Sequence, residues 1–389
     1  MNTPDADLRA GWLLRAGLMI GAFFMGIVLF EIFMRLAGLS FPVFEKFDEV
    51  RGVKLVPGKE GWYRAEGEAY LRINSLGYRD REHALEKPVG TFRIAVLGDS
   101  LTEARQVPIE EAYWHHVGKE LGACTALSGR QIEVLNFGIG GYNTSQEVLT
   151  YDLDARRFAP DLVLLGFFAP NDVQDPDRAR WRISSPSYRL VENKLVLDKP
   201  AAPPIWQRLL YIGVHYSRVL ELINEVRRWW TWAIIKNRNR VDKKAVQVEV
   251  GTSADIYRPP ANPDMEASWQ LTAALLADLN DRVRNEGAQF MLATIPEAVQ
   301  THPNTAYREA IKAKLGVEDL RYPERRISDI GKSAGFPVIT LVERMLPEAQ
   351  QRHFHGFANT GFGYGHMNVT GHRVMGKILA SEICARIQK

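Results

Sequence analysis

Arg93-Ile-Ala-Val-Leu-Gly-Asp-Ser-Leu-Thr102 runs four apolar residues straight into Gly98-Asp99-Ser100-Leu101. A short apolar run that ends in a glycine and small polar residues reads as a buried strand whose carboxyl end turns sharply. The turn lifts Ser100 out of the sheet edge, which is where α/β proteins place their chemistry. Outward from this stretch the chain alternates apolar runs with amphipathic ones. The pattern predicts strands at 94–97, 133–136, 162–168, 290–295 and 338–341, and helices at about 110–121, 145–157, 267–286, 321–334 and 370–387. Such alternation is the signature of a parallel sheet with helices on both faces.

The flanking regions follow different rules. Residues 16–30 are apolar and uncharged, and the run continues past Glu31 as Ile-Phe-Met to Arg35. About 20 residues of helix are needed to cross a bilayer. No small-residue cleavage site follows, so 16–36 is expected to be an uncleaved single-pass anchor behind a short tail, 1–15. The plainer reading of the same run is a buried core helix. Basic residues flank the run evenly, Arg9 and Arg15 before it and Arg35 and Lys46 after, so the charge rule alone does not orient it. Residues 37–90, with Pro42, Pro57 and Pro88, read as a connector carrying short strands near 61–63 and 70–73 and a turn at 74–77.

The 389 residues carry a net charge of +3, which gives no reason to expect nucleic acid as a partner. The surplus is local: residues 208–244 hold nine Lys/Arg against Glu221, Glu225 and Asp242. This stretch lies in an insertion, 173–266, that interrupts the α/β alternation and sets Trp229, Trp230 and Trp232 beside Arg227 and Arg228. Two readings stand: a helical cap over the active site, or a segment at a membrane interface. They are compatible. Two cysteines, Cys124 and Cys384, exclude a disulfide-rich scaffold and match no redox spacing, leaving either one disulfide or two thiols.

Four motifs fall at the predicted carboxyl ends of strands. The first is Gly98-Asp99-Ser100-Leu101. The second is Asn136-Phe-Gly-Ile-Gly-Gly141, whose glycines let backbone N–H groups approach a ligand. The third is Ala169-Pro-Asn171-Asp172, and the fourth is Gly363-Tyr-Gly-His366-Met-Asn, on the loop after the fifth strand and ahead of His372. Singly, each has a plain reading as a helix cap, a turn or an exposed histidine. His353, His355, His366 and His372 show no zinc spacing and no carboxylate partner.

In order and together, the four blocks resemble those of the SGNH hydrolases, the GDSL-type esterases, over about 91–172 and 335–389. The resemblance implies a three-layer α/β/α, flavodoxin-like domain over 91–389 with a five-stranded parallel sheet. It implies Ser100 as nucleophile and His366 as base, with an oxyanion hole built from the N–H groups of Ser100 and Gly141 and the Asn171 amide. No metal or organic cofactor is implied, and His372 looks like the helix-start histidine that commonly follows the base. Two departures stand out: Ala169 replaces a glycine of the third block, and Gly363 stands where the family has the aspartate that supports the histidine. The missing carboxylate leaves a Ser–His dyad, a substitute such as Glu343, or an impaired site as alternatives. The expected function is an esterase acting on O-acyl, chiefly O-acetyl, groups of cell-envelope carbohydrate. The domain would be anchored to the cell membrane and held outside the cytoplasm, in the periplasm. O-acetyl transfer, lipid-ester cleavage, and a non-hydrolytic glycan-binding or assembly role are the alternatives.

Overall fold

The computed structural model describes residues 4–173, 185–192, 194–199, 202–240 and 254–387. Helix α1 (Pro4–Leu36) leads to two hairpins, β1 (Glu45–Asp48) with β2 (Gly52–Leu55) and β3 (Glu60–Tyr63) with β4 (Ala69–Arg72). β5 (Thr91–Gly98) enters α2 (Ser100–Glu103), followed by α3 (Tyr113–Leu121), β6 (Gln131–Asn136), α4 (Thr144–Leu153), β7 (Leu162–Phe167) and α5 (Ala169–Asp172). Next come a hairpin, β8 (Ser187–Val191) with β9 (Lys194–Asp198), and the helices α6 (Ile205–Tyr216), α7 (Arg218–Arg240) and α8 (Pro263–Asn285). β10 (Gln289–Thr294), α9 (Thr305–Leu315), α10 (Tyr322–Ala334), β11 (Val338–Thr340) and α11 (Val342–Met345) precede the last hairpin, β12 (His355–Phe357) with β13 (Gly361–Met367), and α12 (Val369–Ile387).

The chain divides into two units, residues 1–43 with 204–243, and residues 44–203 with 244–389. The larger is an α/β/α sandwich on a five-stranded parallel sheet ordered β6-β5-β7-β10-β11. After β5 the chain steps to one side for β6 and returns to the other side for β7. The carboxyl ends of β5 and β7 therefore flank the switch point, the crevice in which open parallel sheets bind ligands. All eight residues of β5 are buried. The side chains alternate, as a pleated strand requires. Ala95 and Leu97 join the core under α4, α8 and α10, while Ile94 and Val96 join the core under α3 and α12.

The stretch expected to be a connector belongs, from Phe44 onward, to this core. Leu55, Leu71, Ile73 and Tyr78 are almost fully buried in the cluster that holds Leu97 and Leu135. Its charges are satisfied inside the fold: Arg51 and the Tyr78 hydroxyl both donate to Asp154 Oδ2, at 2.6 and 2.5 Å. Asp80 Oδ2 accepts the N–H of Asn136 at the end of β6, at 2.7 Å. The expected helical insertion also contains the β8–β9 hairpin, and α9 is a helix that the apolar pattern did not predict. Residues 174–184, 193, 200–201 and 241–253 of the insertion lie outside the described residues, as does the Trp232 side chain.

Cys124 and Cys384 form a disulfide, joining the turn after α3 to α12 across 260 residues of sequence. A bridge closing so long a loop restricts the unfolded chain strongly, by roughly 2–5 kcal/mol. Replacing both cysteines by serine is expected to lower the melting temperature by several degrees in non-reducing buffer. An unchanged melting curve would show that the bridge adds nothing to stability.

The smaller unit is helical. α1 contains a 26-residue apolar segment, Gly11–Leu36, of mean hydropathy 2.2, long enough to cross a membrane or to serve as a signal sequence. It packs against α7.

Candidate active site

The turn after β5 is built so that Ser100 has few alternatives. Gly98 has φ +153, and a Cβ there would lie 2.2 Å from Thr102 Oγ1, so only glycine fits. Asp99 caps α2: its Oδ1 accepts the N–H of Leu101 at 2.9 Å. Ser100 is then the first residue of the helix, and its own N–H is one of the amides a helix start leaves without an intrahelical partner. Thr102 fixes the turn from behind, bonded to the Tyr113 hydroxyl at 2.9 Å, while Trp114 Nε1 donates to the Thr102 carbonyl at 3.0 Å.

His366 reaches this turn from β13, a strand of the last hairpin, where the sequence suggested a loop. Its Nε2 lies 3.0 Å from Ser100 Oγ. On the other side of the ring, Nδ1 is 2.5 Å from Glu66 Oε2, and the His366 backbone N–H donates to Glu66 Oε1 at 2.7 Å. A carboxylate accepts, so Nδ1 carries the proton and Nε2 turns its lone pair toward the serine hydroxyl. Burial would raise the Glu66 carboxyl pKa, but hydrogen bonds and charge from His366 outweigh it and hold the group below the usual carboxylate range.

Glu66 is the residue that sequence reasoning missed. It sits in the turn between β3 and β4, and that hairpin tip is tied to the β12–β13 tip by Asn359. Asn359 Oδ1 accepts the N–H of Gly67 at 3.0 Å, and its Nδ2 donates to the carbonyls of Arg64 and Gly67, both at 3.2 Å. The carboxylate also needs Gly365, with φ +74, where a Cβ would come within 2.1 Å of Glu66 Oε1. Gly363, where an aspartate was expected, has φ +88, and a Cβ there would meet His302 Nε2 at 2.9 Å. A side chain at 363 is thus disfavoured by backbone conformation and by the imidazole beside it. Glu343, the substitute considered from the sequence, is instead exposed and paired with Arg321 at 2.5 Å.

Of the remaining two predicted residues, Asn171 reaches the same turn, and Gly141 lies in the turn after the neighbouring strand β6. The Asn171 amide nitrogen, on α5, donates to Asp99 Oδ2 at 2.5 Å, leaving its second hydrogen for another acceptor. Gly141 has φ +79 in the turn after β6. The neighbouring Gly140 N–H is already taken by Glu103 Oε2 at 2.6 Å, a buried carboxylate that Arg105 also holds at 2.7 Å. The other histidines are engaged separately. His372 is buried against Tyr113, whose N–H it accepts at 3.3 Å, and burial lowers its pKa to about 3. His355 contacts the Pro296 carbonyl, and burial lowers its pKa to about 4. Among the described residues no group of three metal-binding side chains occurs.

Asp99 is fully buried, and desolvation, only partly offset by the Leu101 and Asn171 hydrogen bonds, raises its pKa to about 6. Its unfolded value is near 3.8. Below that value the carboxyl is neutral in both states and there is no penalty. As pH rises through about 6 the folded protein must hold a buried charge, at a cost of roughly 3 kcal/mol. Asp99→Asn removes the charge and one acceptor, so a net gain of about 1–2 kcal/mol is expected at pH 8 and none at pH 4. Thermal melts across that range check this. A variant no more stable at pH 8 would contradict it.

No protein-family model and no curated protein matches the chain. Among solved structures, it aligns with a protein assigned to a lipolytic G-D-S-L family from Desulfitobacterium hafniense, at 12% identity and TM-score 0.34, over 75% of this chain and 99% of that one. It aligns with an acetylxylan esterase from Geobacillus stearothermophilus, in a catalytic mutant, at 13% identity and TM-score 0.39, over 76% and 95%. The acetyl xylan esterase AlAXEase aligns at 13% identity and TM-score 0.37, over 75% and 99%.

Proposed function

We propose that this chain is a serine esterase that removes O-acyl groups, chiefly O-acetyl, from cell-envelope carbohydrate. The observation that carries the proposal is the continuous relay from Ser100 Oγ through the two nitrogens of His366 to Glu66, with spacings of 3.0 and 2.5 Å. A serine, a base with its lone pair turned to the hydroxyl, and a carboxylate behind the base form the constellation for nucleophilic acyl transfer. With Glu66 behind the ring, an unsupported base is no longer a reason to favour a non-hydrolytic binding role.

In the proposed reaction His366 Nε2 takes the Ser100 proton as Oγ bonds to the ester carbonyl carbon. The resulting oxyanion is held by the N–H groups of Ser100 and Gly141 and by the free hydrogen of the Asn171 amide. Collapse breaks the ester C–O bond, and the departing sugar oxygen takes the proton from His366. Water, deprotonated in turn by His366, attacks the acyl-serine. Acetate leaves and Ser100 Oγ recovers its proton. If a sugar hydroxyl replaces water in the second half, the same acyl-serine gives O-acetyl transfer.

Aryl acetate turnover by the full chain in detergent tests the esterase chemistry, and an acetylated oligosaccharide, with and without an unacetylated acceptor, separates hydrolysis from transfer. Free acetate as the main product is expected. Acetyl appearing on the acceptor would replace the hydrolase reading by the transferase, and no turnover of either ester would overturn both. The proposal places α1 across the cell membrane and the larger unit outside the cytoplasm, supported by the Cys124–Cys384 bridge, since disulfides persist in oxidising compartments. A C-terminal reporter active only in the cytoplasm would contradict that orientation.

A further inference from the structure

α6 is built inside out for a helix facing water. Ile205, Leu209, Ile212 and Tyr216 fall at i, i+4, i+7 and i+11, one stripe of the helix, and each is more than half exposed. Trp206 and Leu210 widen the stripe and are also more than half exposed. The polar or less apolar residues Gln207, Arg208, Tyr211 and His215 lie on the less accessible side. A contiguous exposed apolar helix face marks an interaction site.

The neighbouring contacts indicate what covers it. Glu31, within the apolar segment of α1, caps the start of α7. It accepts the Ser217 hydroxyl at 2.9 Å and the N–H groups of Arg218 and Val219, both at 3.0 Å. Arg35 pairs with Glu31 at 2.7 Å and donates to the Tyr216 carbonyl at 2.5 Å, satisfying the end of α6. The α6–α7 junction is thereby fixed to residues 31–35 of the apolar segment, which ends at Leu36. Five residues of helix rise about 7.5 Å. The junction therefore sits at the end of the apolar segment, at the depth where hydrocarbon gives way to headgroups. Trp and Tyr at that depth suit an interface, with the ring in the apolar zone and the polar atom toward water.

We infer that α6 lies in the lipid interface of the membrane that α1 crosses, its Ile205–Leu209–Ile212–Tyr216 face turned into the acyl chains. The inference rests on the anchoring reading of α1. It makes residues 4–43 and 204–240 a membrane module of three helices, with one spanning and one lying in the surface. Partly buried Glu31 and exposed Arg35 are polar groups that tie α1 to the α6–α7 junction.

Cys124 and Cys384 are bonded to each other, so an added cysteine can be labelled alone under non-reducing conditions. The full chain carrying Leu209→Cys, Ile212→Cys, Gln207→Cys or Tyr211→Cys would be labelled with an environment-sensitive fluorophore and reconstituted in phosphatidylethanolamine–phosphatidylglycerol vesicles containing doxyl-labelled lipids. Phe24→Cys in α1 reports on the anchor itself. Quenching at 209 and 212 is expected to exceed that at 207 and 211 by about threefold or more, following the helical period. Quenching at 24 with none at 209 and 212 would overturn the inference while leaving the anchor intact. No quenching at 24 would overturn the anchor and the inference with it.

Discussion

Glu66→Gln is expected to lower kcat for aryl acetate hydrolysis by about 10³–10⁴-fold, with little change in KM or in melting temperature. Glutamine keeps the shape and can still accept the His366 N–H that Glu66 Oε1 now accepts at 2.7 Å. In that orientation its amide nitrogen faces Nδ1 and donates to it. The imidazole must then carry its proton on Nε2, the nitrogen 3.0 Å from Ser100 Oγ, and it can no longer take the serine proton. The loss comes from the wrong tautomer and from the lost stabilisation of the imidazolium, so it falls on kcat. Glu66→Asp keeps the charge but shortens the reach and is expected to fall between the two. A Glu66→Gln variant within about tenfold of the native rate would remove Glu66 from the mechanism and return the site to a Ser–His dyad.

Ser100→Ala is expected to abolish turnover, by at least about 10⁴-fold, since no acyl-serine can form. The more telling result is the double variant. Residues that act as one unit lose activity non-additively, so adding Glu66→Gln to Ser100→Ala is expected to cost almost nothing further. If the two losses multiplied, Glu66 would be acting somewhere other than behind the base for Ser100. The fold should persist in the alanine variant: Gly98, the Asp99 cap and the Thr102–Tyr113 bond shape the turn, and none of them uses the serine hydroxyl.

What the sequence disclosed and what it withheld have one physical basis. The five sheet strands could be read because each is a local apolar run bounded by turn residues. Ser100, Gly141 and Asn171 were expected in the segments after three of those runs, and they lie just past β5, β6 and β7. Glu66 could not be located, because nothing local distinguishes it from Glu60 or Glu68 on the same hairpin. Its approach to His366, 300 residues away, depends on Asn359 joining two hairpin tips and on the bare backbone of Gly365. The one usable sign was negative: a glycine at 363 in place of the aspartate left open a carboxylate from another element, beside a Ser–His dyad or an impaired site. The pairing of Cys124 with Cys384 was open for the same reason, since the packing of α3 on α12 brings them together and no spacing motif records it. The inverted face of α6 is visible as an amphipathic stripe, but only the Glu31 and Arg35 contacts give it a depth.

The most direct measurement is the site and rate of fluorophosphonate labelling of the full chain, followed by peptide mass analysis. One label per chain is expected on Ser100, absent in Ser100→Ala and slowed by at least about a hundredfold in His366→Ala and Glu66→Gln. No labelling, labelling elsewhere, or equal rates in the native chain and the Glu66→Gln variant would contradict a Ser100–His366–Glu66 site.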